Sequence, residues 1–181
     1  MVHELKTQIE RRLAQMVAQN PLRMDLYHQY LAIIAHYNNE TDRVTIEQTF
    51  EELLNLLQRM GAEEARAVRE GLNEEHLAIF DLLTQDKPDL TPAVRKRIKA
   101  VAGALLDAVK TQLDQIDHWA DKEATRNQIE VFIRNFLWDE HRGLPDPEYT
   151  AAELPRFAQA VYQHVYQQYR FPAATVYREA A

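Results

Sequence analysis

Apolar residues recur every three or four positions along most of this chain, the spacing of one face of an α-helix. Leu5, Ile9, Leu13 and Met16/Val17 form a first stripe. It stops before Asn20-Pro21, because the residue ahead of a proline is pushed out of helical geometry. Leu26, Tyr30, Ile34 and Tyr37 form a second stripe, ended by Asn38-Asn39. Thr41 or Asp42 is placed to cap a third helix bearing Ile46, Phe50, Leu53, Leu54 and Leu57, with Gly61 its expected stop. Residues 62–70 read as a short charged helix halted by Gly71. Asn73 then caps a segment carrying Leu77, Phe80 and Leu83, and residues 84–90 read as a loop.

Thr91-Pro92 is a cap followed by proline at the first helical position, a strong start signal. The helix it opens carries Val94, Ile98, Val101, Leu105, Val109, Leu113 and Ile116, and at 1.5 Å per residue spans roughly 35 Å. Ile129, Phe132, Ile133, Phe136 and Leu137 mark another helix. Residues 143–148 form a proline-bearing turn. Thr150-x-x-Glu153 is a capping box, flanked by Tyr149 and Leu154 at the positions of a hydrophobic staple. Phe157, Ala158, Val161, Tyr162, Val165, Tyr166 and Tyr169 follow, with Pro155 expected to cost that helix one early hydrogen bond. No stretch alternates with period two, so no strand is expected. The expected fold is all-α, an irregular multi-helix bundle of about seven helices without a β-sheet. Residues 1–19 are expected as a leading helix or linker and 20–181 as a C-terminal helical domain.

Composition narrows the chemistry. Among 181 residues there are only four glycines, so neither a GxGxxG nor a GxxxxGK[ST] phosphate loop can be written. Cysteine and serine are both missing, which removes thiol catalysis, Cys-ligated zinc and any Ser-His-Asp triad. The seven histidines lack a Glu-x-x-His or HExxH setting and read as scattered surface or half-buried side chains. Asp89 and Asp146 follow prolines without a downstream Glu-x-Lys, and Asp139-Glu140-His141 reads as solvated surface. No complete catalytic set and no metal site emerges. No leader-like segment and no apolar run of membrane-spanning length occurs, and the expected location is cytoplasmic.

Charge is uneven. Residues 1–90 carry 9 Lys/Arg against 16 Asp/Glu, whereas residues 91–142 carry 9 against 8. The one locally cationic run is Arg95-Lys96-Arg97 with Lys99, at a helix N-terminus, where cations oppose the helix dipole. It reads either as a solvated face or as a row that tracks a phosphate backbone without reading bases. Tyr162, Tyr166 and Tyr169 form a ridge that suits core packing or a contact surface for another subunit. Trp119 stands at a helix junction, with Lys122 and Arg126 following.

Several stretches together resemble a known family. They are Asn20-Pro-x-Arg23, Tyr30-x-x-Ile33-Ile34-x-x-Tyr37-Asn38, and Ile46-Glu47 leading to Glu51-Glu52-Leu53-Leu54. Glu70-Gly71-Leu72-x-Glu74-Glu75-x-x-Ala78-Ile79-Phe80-Asp81, Trp119-x-x-Lys122-x-x-Thr125-Arg126 and Leu144-Pro145 continue the series. Over roughly residues 20–170 the chain is similar to the C-terminal helical region of the motor (R) subunit of type I restriction-modification enzymes. The resemblance implies a parent subunit that is an ATP- and magnesium-dependent DNA translocase and endonuclease, with its motor and nuclease motifs upstream. It implies that this region is non-catalytic, needs no cofactor of its own, and docks on the modification and specificity subunits while contacting DNA without sequence preference. On that reading Arg95, Lys96, Arg97, Lys99, Lys122 and Arg126 are the candidate DNA contacts. Trp119, Tyr162, Tyr166 and Tyr169 are the candidate partner contacts. A purely structural interaction module without DNA contact is the main rival, and a metalloenzyme bundle is poorly supported.

Overall fold

Helices occupy the expected stretches. The computed structural model describes residues 2–39, 43–171 and 175–177, and the expected cap at Thr41 or Asp42 lies outside them. Among the described residues there is no strand. The chain divides into two compact units, Met1–Glu74 and Glu75–Ala181.

In the first unit, α1 (Val2–Gln19), α2 (Met24–Asn39) and α3 (Arg43–Glu64) share one core. Ile9, Leu13 and Met16 of α1 meet Tyr30 of α2 and Leu53, Leu56 and Met60 of α3, all buried. The leading helix therefore supplies nearly half of that cluster. Asn20 and Pro21 make the turn between α1 and α2: the buried Asn20 side chain accepts the Leu22 N–H at 3.1 Å. Arg23, only 3 % exposed, donates from Nε to Glu63 at 3.0 Å and places Nη2 2.8 Å from Glu74. The Asn-Pro-x-Arg stretch is thus a fold-building knot.

Two expectations about α3 are corrected. Gly61 does not end it; the helix runs to Glu64, and after Ala65 the single-turn α4 (Arg66–Glu70) continues it to Gly71. Gly71 does stop the run, at φ +69°, a left-handed conformation that glycine adopts without steric cost. The buried line on α3 is Thr45, Thr49, Leu53, Leu56 and Met60, while Ile46 and Leu54 are exposed. Two threonines take core positions that the stripe assigned to larger apolar neighbours. Among the described residues, counting α3 with α4, the α-helices number seven, in keeping with the expected bundle of about seven.

The second unit, from Glu75, holds α5 (Glu74–Thr84), α6 (Pro92–Leu113), α7 (Glu123–Trp138) and α8 (Leu154–Tyr169). Residues Leu77 to Leu83 of α5 are all buried. The Thr91 hydroxyl caps α6 by accepting the Val94 N–H at 3.3 Å, and Pro92 sits in the first turn as expected. α6 packs on α7 and α7 on α8. The turn before α8 keeps part of the capping box: Glu153 accepts the Thr150 N–H at 3.0 Å and its hydroxyl at 2.9 Å. Pro155 falls in the first turn of α8, where no intrahelical partner exists for its missing N–H, so it removes no hydrogen bond. Lys87 ties the 84–90 loop to this turn through Glu153 at 2.9 Å and the Glu148 carbonyl at 2.6 Å.

Candidate functional site

The six candidate DNA-contact cations do not form one surface. Arg95 and Lys99 are half-buried, with charged ends 5.1 and 5.8 Å from the ring centre of the buried Phe80. Within about 6 Å such a cation is held by the ring's negative face. Lys96 and Arg97 are exposed. Lys122 and Arg126 lie beyond the other end of α6, which at 1.5 Å per residue is about 33 Å long.

At that far end, the residues around Trp119 close the link between α6 and α7. Trp119 is 3 % exposed; its indole N–H donates to the Tyr169 carbonyl at 3.1 Å, and its ring meets Tyr166 edge-on at 5.9 Å. The Thr125 hydroxyl donates to the Trp119 carbonyl at 2.5 Å, and Arg126 Nη1 donates to the Ala120 carbonyl at 2.8 Å. The Trp-x-x-Lys-x-x-Thr-Arg spacing is therefore a turn-closing device. Of this set Lys122 stands exposed at the cap of α7. Tyr162 and Tyr169 are each 9 % exposed and Tyr166 is half-buried, so the ridge packs mainly inside its own unit. Burial raises the hydroxyl pKa of both Tyr162 and Tyr169.

The near end of α6 carries something the stripes did not single out. Arg97 and Trp138 line one cavity of about 530 Å³, with Asp139, Glu140 and Asp146 beside them. Trp138 is 53 % exposed, and Val131, seven residues earlier on the same helical face, is 41 % exposed. The available signal was a tryptophan off the apolar stripe of its helix. Asp139 accepts the His141 and Arg142 N–H groups and pairs with the Arg142 guanidinium at 2.9 Å. Those bonds, chiefly from Arg142, hold its carboxyl at about 2. The Asp139-Glu140-His141 knot is a turn, closed further by Gly143 donating to the Asp139 carbonyl at 2.8 Å.

His164 corrects the picture of surface histidines. It is 3 % exposed on α8, 3.0 Å from the Tyr177 hydroxyl, and burial lowers its pKa from 6.5 to about 4 against the opposing pull of Glu75. Between those values the unfolded chain binds the proton more readily, so stability falls as pH drops from 6.5 toward 4. The loss reaches about 3 kcal/mol. Glu153, held at about 2 mainly by Lys87, adds a loss as pH falls from 4.5 toward 2. Melting curves at pH 7 and 4.5 should show a smaller drop for His164→Gln than for the parent chain. Equal drops would contradict the assignment.

Among the described residues no group of three or more His, Asp or Glu side chains is arranged to hold a metal, and no helix is long and apolar enough to cross a membrane. None of the curated proteins or solved structures compared with the chain matches it. A family model does, over residues 1–169, a span that includes the leading helix, the whole first unit and the second as far as the end of α8. The chain belongs to the family described as type I restriction enzyme HindI endonuclease subunit-like, C-terminal.

Proposed function

We propose that this chain is the non-catalytic docking and DNA-contact part of a cytoplasmic type I restriction motor subunit. ATP and magnesium act in the parent subunit's motor and nuclease regions, and no residue here is assigned to them. The observation that supports the reading best is the pairing of an exposed cation, Arg97, with an exposed aromatic, Trp138, around one cavity. Lys96 adjoins it in sequence and is also exposed. Tryptophan and arginine together are the residue types that carry contact energy at protein interfaces, and arginine also tracks phosphates. In this reading Trp138 and Val131 face the modification and specificity subunits, while Lys96 and Arg97 touch the DNA backbone non-specifically.

The rival, an interaction module without DNA contact, draws support from Arg95, Lys99 and Arg126, whose charged ends already have intramolecular partners. Two double variants separate the readings. Lys96→Gln/Arg97→Gln should leave the melting temperature within about 1 °C, because solvated side chains far from the core rarely shift stability by more than ~0.5 kcal/mol. It should lower the log-log salt slope of duplex binding by about 1.8. Arg95→Gln/Lys99→Gln should instead lose about 1–2 kcal/mol of stability through the contacts over Phe80. Unchanged duplex affinity and slope in the first variant, measured by fluorescence anisotropy, would favour the module without DNA contact.

A further inference from the structure

On α3, burial runs against the size of the apolar side chains. Thr45 and Thr49 are buried at 3 % and 1 % exposure, while Ile46 and Leu54 stand 38 % and 41 % exposed. The Thr49 hydroxyl is buried without a hydrogen-bond partner among the described residues, which costs stability. The helix thus gives up apolar packing on its inner side and leaves apolar surface in water on its outer side. A mismatch of this kind between side-chain pattern and burial marks places where a helix serves a further contact.

The outward residues form one strip. At 100° per residue, Ile46, Phe50, Leu54 and Leu57 fall within an arc of about 80°. Phe50 and Leu57 are half-buried and link the two exposed residues along the helix. From Ile46 to Leu57 the strip runs for about 16 Å, three helical turns. That length and spacing suit the anchors by which an amphipathic helix seats on an apolar face.

The charge beside the strip decides what it fits. Glu47 and Glu51, both exposed and one turn apart, follow Leu54 around the helix by about 20° and 60° of arc. From Thr45 to Gln58 the sequence holds three Glu and no Lys or Arg, and residues 1–74 carry 12 Asp/Glu against 8 Lys/Arg. An apolar line bordered by carboxylates repels a polyanion such as DNA. A second copy of the same face would bring further carboxylates to it. A helix with apolar residues on one face and Lys or Arg on its flanks is attracted to both parts of the surface.

We propose that the outer face of α3 docks a cationic amphipathic helix of a protein partner. Ile46, Phe50, Leu54 and Leu57 receive its apolar side chains, and Glu47 and Glu51 meet its Lys or Arg. This face belongs to the first unit and the α7 face to the second, so its failure leaves the reading of Val131 and Trp138 standing.

The probe is a labelled peptide of about 18 residues with Leu at helical spacing on one face and Lys on its flanks, titrated with the full chain in fluorescence anisotropy at low salt. The chain should bind it about tenfold more tightly than the same peptide with Glu in place of Lys. Ile46→Ala/Leu54→Ala should weaken binding about tenfold, and Glu47→Gln/Glu51→Gln about threefold with a shallower salt dependence. Circular dichroism checks that each variant keeps its helices, and the charge variant leaves the apolar strip whole. Leu31→Ala, which truncates a side chain 45 % exposed on α2, should stay within about twofold. The proposal is overturned if a scrambled Lys/Leu peptide without an apolar face, or the Glu peptide, binds as tightly. It is overturned if the α3 variants bind like the parent chain, or if Leu31→Ala weakens binding as much as they do. It is overturned too if the parent chain dimerises in sedimentation equilibrium and Ile46→Ala/Leu54→Ala makes it monomeric, because a second copy then covers the strip.

Discussion

Trp119→Ala should lower the stability of the second unit by about 3–5 kcal/mol, the usual cost of truncating a buried tryptophan. The side chain is 3 % exposed and wedged edge-on against Tyr166. Its N–H also satisfies the buried carbonyl of Tyr169 at 3.1 Å, tying the link after α6 to the end of α8. Trp119→Phe keeps most of the apolar area but leaves that carbonyl without its donor, so it should cost about 1–3 kcal/mol. Circular dichroism melting should show the alanine variant down by on the order of 10 °C and the phenylalanine variant in between. A drop below about 1 kcal/mol for Trp119→Ala would mean that the residue is not a core anchor, and the partner-contact reading of Trp119 would gain.

Gly143→Ala is the second large effect. A Cβ at this position would stand 2.4 Å from the Leu137 carbonyl oxygen and 2.6 Å from that of Asp139, both backbone atoms that cannot swing aside. The turn must open, weakening the bonds from Gly143 N to Asp139 O at 2.8 Å and from Leu144 N to Leu137 O at 3.1 Å. About 2–4 kcal/mol should be lost. Gly61→Ala supplies the opposite sign. Its Cβ would meet only the tip of Arg12, at 3.8 Å, and alanine in a helix interior is favoured by about 0.5–1 kcal/mol. If both substitutions shifted melting alike, the steric account of the turn would be wrong.

The elements easiest to read were those whose ends are set locally. Thr91-Pro92 starts α6 through one side-chain cap, and Gly71 stops α4 through one left-handed residue. The core stripes of α6 and α7 are legible because apolar residues fill their buried positions, and that of α8 because they fill all but His164 and Gln168. α3 departs from its apolar stripe for the converse reason: Thr45 and Thr49 are buried there and Ile46 and Leu54 are exposed. Glycine disfavours helix, so Gly61 reads as a stop, yet packing of Leu56 and Met60 into the first core outweighs that cost. The division after Glu74 left no mark in the sequence, since α5 begins at that residue with no linker.

The site was legible in part. The basic run was visible as charge, but which of its members face solvent depends on Phe80, three-dimensional information that spacing along one helix does not hold. Trp119 and the tyrosines were identified as aromatics of consequence, and the fold places most of them inside. Trp138 lies off the apolar stripe of α7, and it is the exposed aromatic beside Arg97.

The central claim is that this chain docks on the modification and specificity subunits through its exposed α7 face. Sedimentation velocity of the purified chain mixed with its cognate modification–specificity complex tests this most directly. The account predicts that the chain co-sediments with the complex without DNA, and that Val131→Ala/Trp138→Ala, which truncates side chains 41 % and 53 % exposed, returns it to the slow boundary while circular dichroism shows its helices still formed. A parent chain that sediments alone at micromolar concentrations, with and without duplex, would contradict it.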